Sequence, residues 1–136
     1  MSEFDTGMTT RREVLGDAHV DRATANAGSF GQPWQEFITR YAWGAVWSRP
    51  GLDRRTRSAV TLAALISMRA ENEIGMHVRA ALRNGLTVEE IIEIFIHTAE
   101  YAGVPASIAA IASQHAAEPS AGVAVRIARM RSITSG

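Results

Sequence analysis

The sequence predicts an all-α protein, a compact bundle of six to eight helices. Apolar residues recur at the three- and four-residue spacing of amphipathic helices, and residues that cap helices stand at the ends of these segments. Alternating runs of β-branched residues bounded by hairpin turns are nearly absent. With 136 residues the chain fits one domain. We predict a single domain over 1–136, with a core from about residue 7 to residue 118 and a C-terminal extension over 119–136.

The first half of the chain contains three predicted helices. The first begins at residues 9–10 and breaks at Gly16, and the second covers 18–27, ahead of Gly28. Pro33 suits the first position of the third helix, because its φ is already helical and its missing N–H is not needed there. This helix carries an apolar stripe that we expect to be mostly core, made of Trp34, Phe37, Ile38, Tyr41, Val46 and Trp47.

A long helix is predicted to follow, with Asp53 as its N-cap. Its centre, AVTLAALI, is apolar on nearly every side, which is typical of a helix in the middle of a bundle or at a subunit interface. The pattern restarts around residues 69–71. The helix that begins there ends at Asn84 and Gly85, two residues that tolerate the left-handed conformation.

The last predicted helices have strong end signals. Thr87 and Glu90 have the spacing of a capping box, in which each side chain bonds the other residue's backbone N–H. Gly103 stops the helix they open, and Pro105 begins an alanine-rich helix that covers Ser107 to Glu118. We expect the tail beyond it to form a terminal helix or an exchanged arm.

Composition excludes several classes of protein. The chain has no cysteine, which excludes disulfides, thiolate metal sites and cysteine nucleophiles. It has no lysine for a Schiff base, and its net charge is zero, which argues against a nucleic-acid-binding protein. No apolar run approaches the roughly 18 residues of a membrane span, and no secretory signal is visible. We therefore expect a cytoplasmic protein.

Glu73 and His77 are the first candidates for catalysis. They stand four residues apart on a predicted helix, so their side chains share one face and can hydrogen-bond. A carboxylate beside an imidazole fixes its tautomer and raises its proton affinity, as a general acid or base requires. Such pairs also occur on solvated surfaces, and the spacing alone leaves both interpretations open.

A second polar cluster follows on the helix that Thr87 opens. It consists of Glu93, His97, Glu100 and Tyr101. Metal binding through the first two would need further ligands that no nearby spacing supplies, so we favour a structural or partly exposed role for them. Tyr101, one turn beyond the histidine, is a candidate for substrate binding.

Arginines open the long central helix. Arg54, Arg55 and Arg57 oppose the helix dipole there, so something acidic should compensate them. Asp53 does part of this, and a bound carboxylate would do more because the guanidinium fork matches it. Solvated surface is an equally good interpretation of the three arginines. Trp43 falls off the apolar stripe of the preceding helix, where it is a candidate to line a binding cavity or a subunit interface.

Three long stretches resemble the carboxymuconolactone decarboxylase family. They read RREVLGDAHVDRA, YAWGAVWSRPGLDRRTRSAVTLAALI and MHVRAALRNGLTVEEIIEIFIHTAEYAGVPA, and the likeness covers about Gly7 to Glu118. The resemblance implies the helical fold of alkylhydroperoxidase-like proteins and a ring-shaped homo-oligomer, a homotrimer or homohexamer. It also places Glu73 and His77 at the family's usual acid and histidine positions.

Some positions differ from relatives in the same superfamily. Redox members have two cysteines where this chain has Ala70 and Glu73, so their disulfide chemistry is impossible here. The decarboxylases tend to have Gly-Arg-x-Glu-Glu-Leu before the histidine, whereas this chain has Asn72 in place of one acid. After Val-Pro-Ala they continue with Ala-Asn, whereas this chain has Ser107 and Ile108. These differences affect the expectation of which substrate the protein binds more than the expectation of its fold.

The resemblance implies cofactor-free decarboxylation of γ-carboxymuconolactone to β-ketoadipate enol-lactone in protocatechuate breakdown. The lactone carbonyl accepts the electrons, so no metal or other cofactor is expected. Arg55 or Arg57 would hold the substrate's acetate arm, and His77, oriented by Glu73, would protonate the ring. Two alternatives stay open: a related isomerase or decarboxylase for a different carboxylated lactone, and a non-catalytic helical oligomer that binds a small acid.

Overall fold

Six α-helices and one π-helical segment form the computed structural model over residues 1–116, the part of the chain that it describes, and no strand occurs there. The predicted all-α class is therefore confirmed. The predicted tail helix or arm over 119–136 lies outside the described residues. The elements are α1 (Glu3–Leu15), α2 (Asp17–Ile38), the π-helix (Thr39–Trp47), α3 (Arg54–Ser67), α4 (Glu71–Arg83), α5 (Val88–Ala102) and α6 (Val104–Ala116).

The chain divides into two compact units, Met1–Arg57 and Ser58–Gly136. The first contains α1, α2, the π-helix and the first turn of α3. The second contains the rest of α3 and the helices that follow it. Within the described residues, no helix is both long enough and apolar enough to cross a membrane.

Helix α1 begins well before the predicted start at residues 9–10. The Ser2 hydroxyl accepts a hydrogen bond from the N–H of Asp5 (3.2 Å), and the Asp5 carboxylate accepts one from the N–H of Ser2 (3.1 Å). This capping box satisfies two backbone donors of the first turn. The predicted break at Gly16 is confirmed, since that residue has a φ of 88° and separates α1 from α2.

Helix α2 has a break at Gly28, as predicted. The residue has φ 57° and ψ −171°, a conformation that glycine adopts at little cost, and helix resumes directly after it. Pro33 lies inside this second part of α2 and not at its first position, so the predicted helix start at Pro33 is wrong. Helix resumes directly after Gly28, ahead of Pro33, so the proline interrupts only the first hydrogen bonds of this part of α2.

The first unit is held together by a close backbone approach between α1 and the π-helix. A Cβ atom built on Gly7 would fall on the carbonyl oxygen of Thr39 and within 2.8 Å of the nitrogen of Gly44. One built on Gly44 would come within 2.5 Å of the carbonyl oxygen of Glu3. Only residues without a side chain fit at Gly7 and Gly44, so these glycines allow the two helices to pack.

The predicted apolar stripe is not core. Trp34, Phe37 and Tyr41 are each more than half exposed, whereas Trp43 is only 5% exposed and stacks on Trp47 with ring centroids 5.2 Å apart. The predicted stripe assumes the period of an α-helix throughout. A π-helix has more residues per turn, so the faces rotate from Thr39 onward, which accounts for the exposure of Tyr41 and the burial of Trp43. Trp34 and Phe37 precede the π-helix, so its winding does not account for their exposure.

The second unit has an apolar core to which α3, α4, α5 and α6 all contribute. Its buried members are Leu62, Ile66, Ile74, Val78, Ala81, Leu86, Ile91, Phe95, Ala106 and Ala110. Helix α3 buries one face only, since Val60 is 58% exposed. The sequence predicted that this helix lies either in the middle of a bundle or at a subunit interface. An exposed apolar residue is compatible with the second of these positions.

The predicted helix ends between α3 and α6 are confirmed, whereas the predicted end at Glu118 lies outside the described residues. Arg69 has a φ of 59° between α3 and α4, and Gly85 has a φ of 95° after α4. The capping box opens α5, with Thr87 Oγ1 accepting from the N–H of Glu90 (3.1 Å) and the Glu90 carboxylate accepting in return (3.0 Å). Gly103, with a φ of 93°, separates α5 from α6.

Candidate active site

Glu73 and His77 lie on α4, four residues apart, so they share one face of that helix as predicted. Glu73 is exposed in the first turn, where a carboxylate interacts favourably with the helix dipole. His77 is half-buried, and its Nδ1 atom is buried. The imidazole is thus neither fully solvated nor enclosed among aliphatic side chains. A partly accessible imidazole with a carboxylate one turn earlier can exchange a proton with a bound molecule.

Tyr101 lies near the end of α5 and is 77% exposed. Its ring contacts that of His97, with centroids 5.3 Å apart and planes tilted by 42°. Glu93, His97 and Glu100 are also exposed on this helix, which agrees with the partly exposed role predicted for Glu93 and His97. The role of Tyr101 in substrate binding stays a prediction.

Arg54 and Arg57 contribute to the local structure of the first unit. The Nη2 atom of Arg54 donates to the Glu13 carboxylate at 2.6 Å, which ties the start of α3 to α1. The Nε atom of Arg57 donates to the carbonyl of Leu52 (3.1 Å), and its Nη2 donates to the carbonyl of Arg49 (2.9 Å). Arg57 therefore stabilises the turn that precedes α3.

Asp53 caps α3 as predicted. Its carboxylate accepts hydrogen bonds from the N–H of Thr56 (2.8 Å) and from the Thr56 hydroxyl (3.1 Å). These bonds lower the pKa of Asp53 below its usual value, and the positive charge of Arg55 adds to the effect. Asp53 is thus ionised at neutral pH, and its charge offsets part of the positive charge beside it. The Arg55 side chain is exposed.

The positions that depart from the decarboxylase pattern have different environments. Ser107 is buried, and its hydroxyl donates to the carbonyl of Phe95 at 3.0 Å, which joins α6 to α5. Serine at this position is therefore explained by packing within the second unit. Asn72 is exposed on the first turn of α4, and Ile108 is 60% exposed on α6. Nothing in the structure explains the change at Asn72.

A cavity in the first unit contains a residue that the sequence analysis did not single out. This open cavity of about 350 Å³ is lined by residues of α1, of both parts of α2 and of the start of the π-helix. Arg11 lines it and is only 5% exposed. A signal was present in the sequence, because Gly7, Arg11 and Val14 have the spacing of a buried helix face and arginine is rare on such faces.

The predicted site residues fall in both units. Arg54, Arg55, Arg57 and Trp43 belong to the first, and Glu73, His77 and Tyr101 belong to the second. Trp43 is buried and stacks on Trp47. Its role in substrate binding stays a prediction.

Comparison with known proteins gives one consistent result. The chain is similar to 4-carboxymuconolactone decarboxylase of Acinetobacter baylyi, with 50% identity over 108 residues, which is 79% of this chain and 81% of that protein. It is also similar to nitrosuccinic acid decarboxylase npaB of Metarhizium robertsii, with 48% identity over 108 residues, or 79% and 76% of the two chains. A 4-carboxymuconolactone decarboxylase of Pseudomonas putida is 54% identical over 41 residues, 30% of this chain and 85% of that one.

The family model described as "Carboxymuconolactone decarboxylase family" matches residues 32–116, which is more than half of the chain. This range takes in α3 to α6 and the Glu73–His77 pair. The protein therefore belongs to the carboxymuconolactone decarboxylase family.

Proposed function

We propose that this protein decarboxylates γ-carboxymuconolactone to β-ketoadipate enol-lactone. The observation that carries the proposal is the 50% identity to the Acinetobacter baylyi enzyme over about four-fifths of both chains. Both relatives that match most of the chain are named as decarboxylases, so decarboxylation is the chemistry they share. The protein is thus a carboxy-lyase, and we assign the lactone as its substrate.

The bond changes of this reaction determine what the protein must supply. The carboxylate is attached to the ring carbon beside the lactone oxygen, and the carbon–carbon bond to it breaks when CO2 leaves. The bonding electron pair moves through the ring alkene to the lactone carbonyl, which gives an oxyanion. A proton then adds to the ring carbon next to that carbonyl. The protein must therefore orient the ring, stabilise the oxyanion and deliver one proton.

His77 is the proton donor in this proposal, and Glu73 is its positioning residue. Support comes from the half-buried environment of His77 and from the placement of both residues on one face of α4. In this proposal the carboxylate, one helical turn before the histidine, orients the imidazole. Assay by ultraviolet absorbance tests the substrate directly. If folded protein leaves γ-carboxymuconolactone unchanged, this substrate assignment is wrong.

Nitrosuccinic acid is a second candidate substrate, favoured by the 48% identity to the Metarhizium robertsii decarboxylase. Its nitro group can accept the electron pair that the departing carboxylate leaves behind, as the lactone carbonyl does in the first candidate. Measuring kcat/KM for both acids with one enzyme preparation separates the two. We expect the lactone to be preferred, and a larger kcat/KM for nitrosuccinate would reverse the assignment.

We propose that Arg55 binds the carboxylate of the substrate's acetate arm, and not the carboxylate that leaves as CO2. The Arg55 side chain is exposed in the first turn of α3, and its guanidinium fork matches the two oxygens of a carboxylate. Arg55→Gln is expected to raise KM roughly tenfold to hundredfold, the range for losing a charged hydrogen bond of about 1.5–3 kcal/mol, and to change kcat less. Steady-state kinetics measures this. Arg22→Gln, an exposed arginine on α2, is the matched control, and an unchanged KM in Arg55→Gln would rule out the role.

We also propose that the protein assembles as a homotrimer or homohexamer in the cytoplasm. Support comes from large apolar side chains exposed on α5 and α6, where solvent contact is unfavourable. They are Ile92, Ile96, Tyr101, Val104, Ile108 and Ile111.

Substituting a charged residue on this surface tests the assembly. Ile96 is 59% exposed, so Ile96→Asp should not disturb the interior of the single chain. We expect it to shift the molar mass in light scattering toward that of one chain, because an interface would have to bury an unpaired charge. Asn72→Asp places the same charge at an exposed polar position and should leave the mass unchanged. A wild-type protein that is monomeric by the same measurement would contradict the proposal.

A further inference from the structure

Arg11 carries a buried charge that nothing in the described chain neutralises. Its side chain is 95% buried, and no carboxylate lies within salt-bridge distance of it among residues 1–116. Its Nη1 donates to the Thr39 hydroxyl (3.1 Å) and its Nη2 donates to the Gln35 side-chain oxygen (2.7 Å), both of which are neutral. Burial, with a smaller contribution from the charge of Arg12, lowers the pKa of Arg11 below its usual value. A guanidinium nevertheless stays protonated in proteins, so the charge persists.

The donors of Arg11 are also incompletely used. A guanidinium has five N–H groups, and two of them account for the bonds to Thr39 and Gln35. The Nε–H is buried and has no hydrogen-bond partner among the described residues. Buried donors of this kind are rare, and each one needs an explanation such as a ligand.

The cavity that Arg11 lines supplies the space for such a ligand. Thr39 and Gln35 line it as well, so the guanidinium and both of its partners border the same opening. Its volume of about 350 Å³ lies in the range of small-molecule sites. We propose that this cavity binds a small carboxylate, whose oxygens accept hydrogen bonds from Arg11 and whose carbon skeleton packs against the apolar side chains of Phe4 and Met8.

The surroundings favour a carboxylate over a phosphate. Glu36 also borders the cavity, where its carboxylate accepts a hydrogen bond from the Gln32 amide at 3.3 Å. With one guanidinium charge and one acidic neighbour, the cavity suits a singly charged anion better than a doubly charged one. The planar fork of arginine also matches the two oxygens of a carboxylate.

This site is independent of the proposed decarboxylation. It is built from residues of the first unit, and it includes none of the residues to which we assign catalysis or substrate binding. Its test therefore measures binding, and the result does not depend on whether γ-carboxymuconolactone is a substrate.

Thermal unfolding of the full chain in sodium acetate tests the proposal, with sodium chloride at equal ionic strength as the reference. We expect acetate to raise Tm saturably, by about 3–6 °C near tenfold its Kd, because a ligand that binds only the folded protein stabilises it. Arg11→Met should abolish this rise, because it replaces the charge with an apolar side chain of similar length. Arg22→Met, at an exposed position on α2, should retain it.

A second pair of variants covers the case in which Arg11→Met does not fold. Ala25 is exposed and borders the cavity, so Ala25→Trp should block the cavity and remove the acetate effect without changing buried packing. Asn26→Trp, at the exposed neighbouring position that does not line the cavity, should leave the effect intact. The proposal is overturned if wild-type Tm shows no saturable response to acetate. It is overturned equally if Ala25→Trp responds like wild type, or if sodium phosphate at equal ionic strength stabilises as much as acetate.

Discussion

Replacing His77 with Gln is expected to lower kcat for decarboxylation by about 10²–10⁴-fold, the usual contribution of a positioned general acid. Glutamine keeps a polar side chain of similar length but cannot deliver a proton near neutral pH. Because His77 is only half-buried, the variant should fold, with a Tm close to that of the wild type. Steady-state kinetics and a thermal melt on the same preparation measure both effects.

Two further variants test whether the loss of activity is specific to His77. His97→Gln changes an exposed histidine on α5 and should leave kcat nearly unchanged. Glu73→Gln should lower kcat less than His77→Gln does and should displace the alkaline limb of the pH–rate profile, the limb that a proton donor controls, because a positioning residue acts through the histidine. If His77→Gln retains wild-type kcat while remaining folded, His77 is not the proton donor.

Gly7→Ala is expected to destabilise the protein by at least about 3 kcal/mol, at the upper end of the usual cost of overpacking. The added methyl group would fall on the carbonyl oxygen of Thr39, which belongs to backbone and cannot rotate away. Elsewhere in a helix the same substitution stabilises by roughly 0.5–1 kcal/mol, so the predicted sign is the reverse of the usual one. Urea unfolding of the two proteins measures the difference in unfolding free energy.

Gly51→Ala is the matched control for this prediction. A Cβ atom at Gly51 meets no atom within 4 Å, so the substitution should change the unfolding free energy little. Equal stability of Gly7→Ala and wild type would show that α1 and the π-helix do not pack as closely as described.

The ends of the helices could be predicted from the sequence wherever they depend on neighbours in the chain. The capping box of Thr87 and Glu90, the cap at Asp53 and the breaks at Gly28 and Gly103 each involve only a few consecutive residues. The start of α1 had the same kind of signal. Apolar spacing does not point to this signal, because Ser2 and Asp5 stand ahead of the segment with the clearest apolar period.

The candidate site was predictable in part. The helical spacing of Glu73 and His77 is enough to place them on one face, and the family resemblance singles out that pair. The engagement of Arg54 with Glu13 was not predictable, because the two residues are 41 positions apart in the chain.

By itself, the sequence determined the all-α class, most helix boundaries and membership of the carboxymuconolactone decarboxylase family. The tertiary structure alone decided that Trp43 is buried while Trp34 is exposed, and that Arg11 lines a cavity with Thr39, 28 residues away. The reason is physical. Helix period and caps follow from local backbone hydrogen bonds, whereas burial depends on which distant segments pack together and on changes of helical winding that apolar spacing does not record.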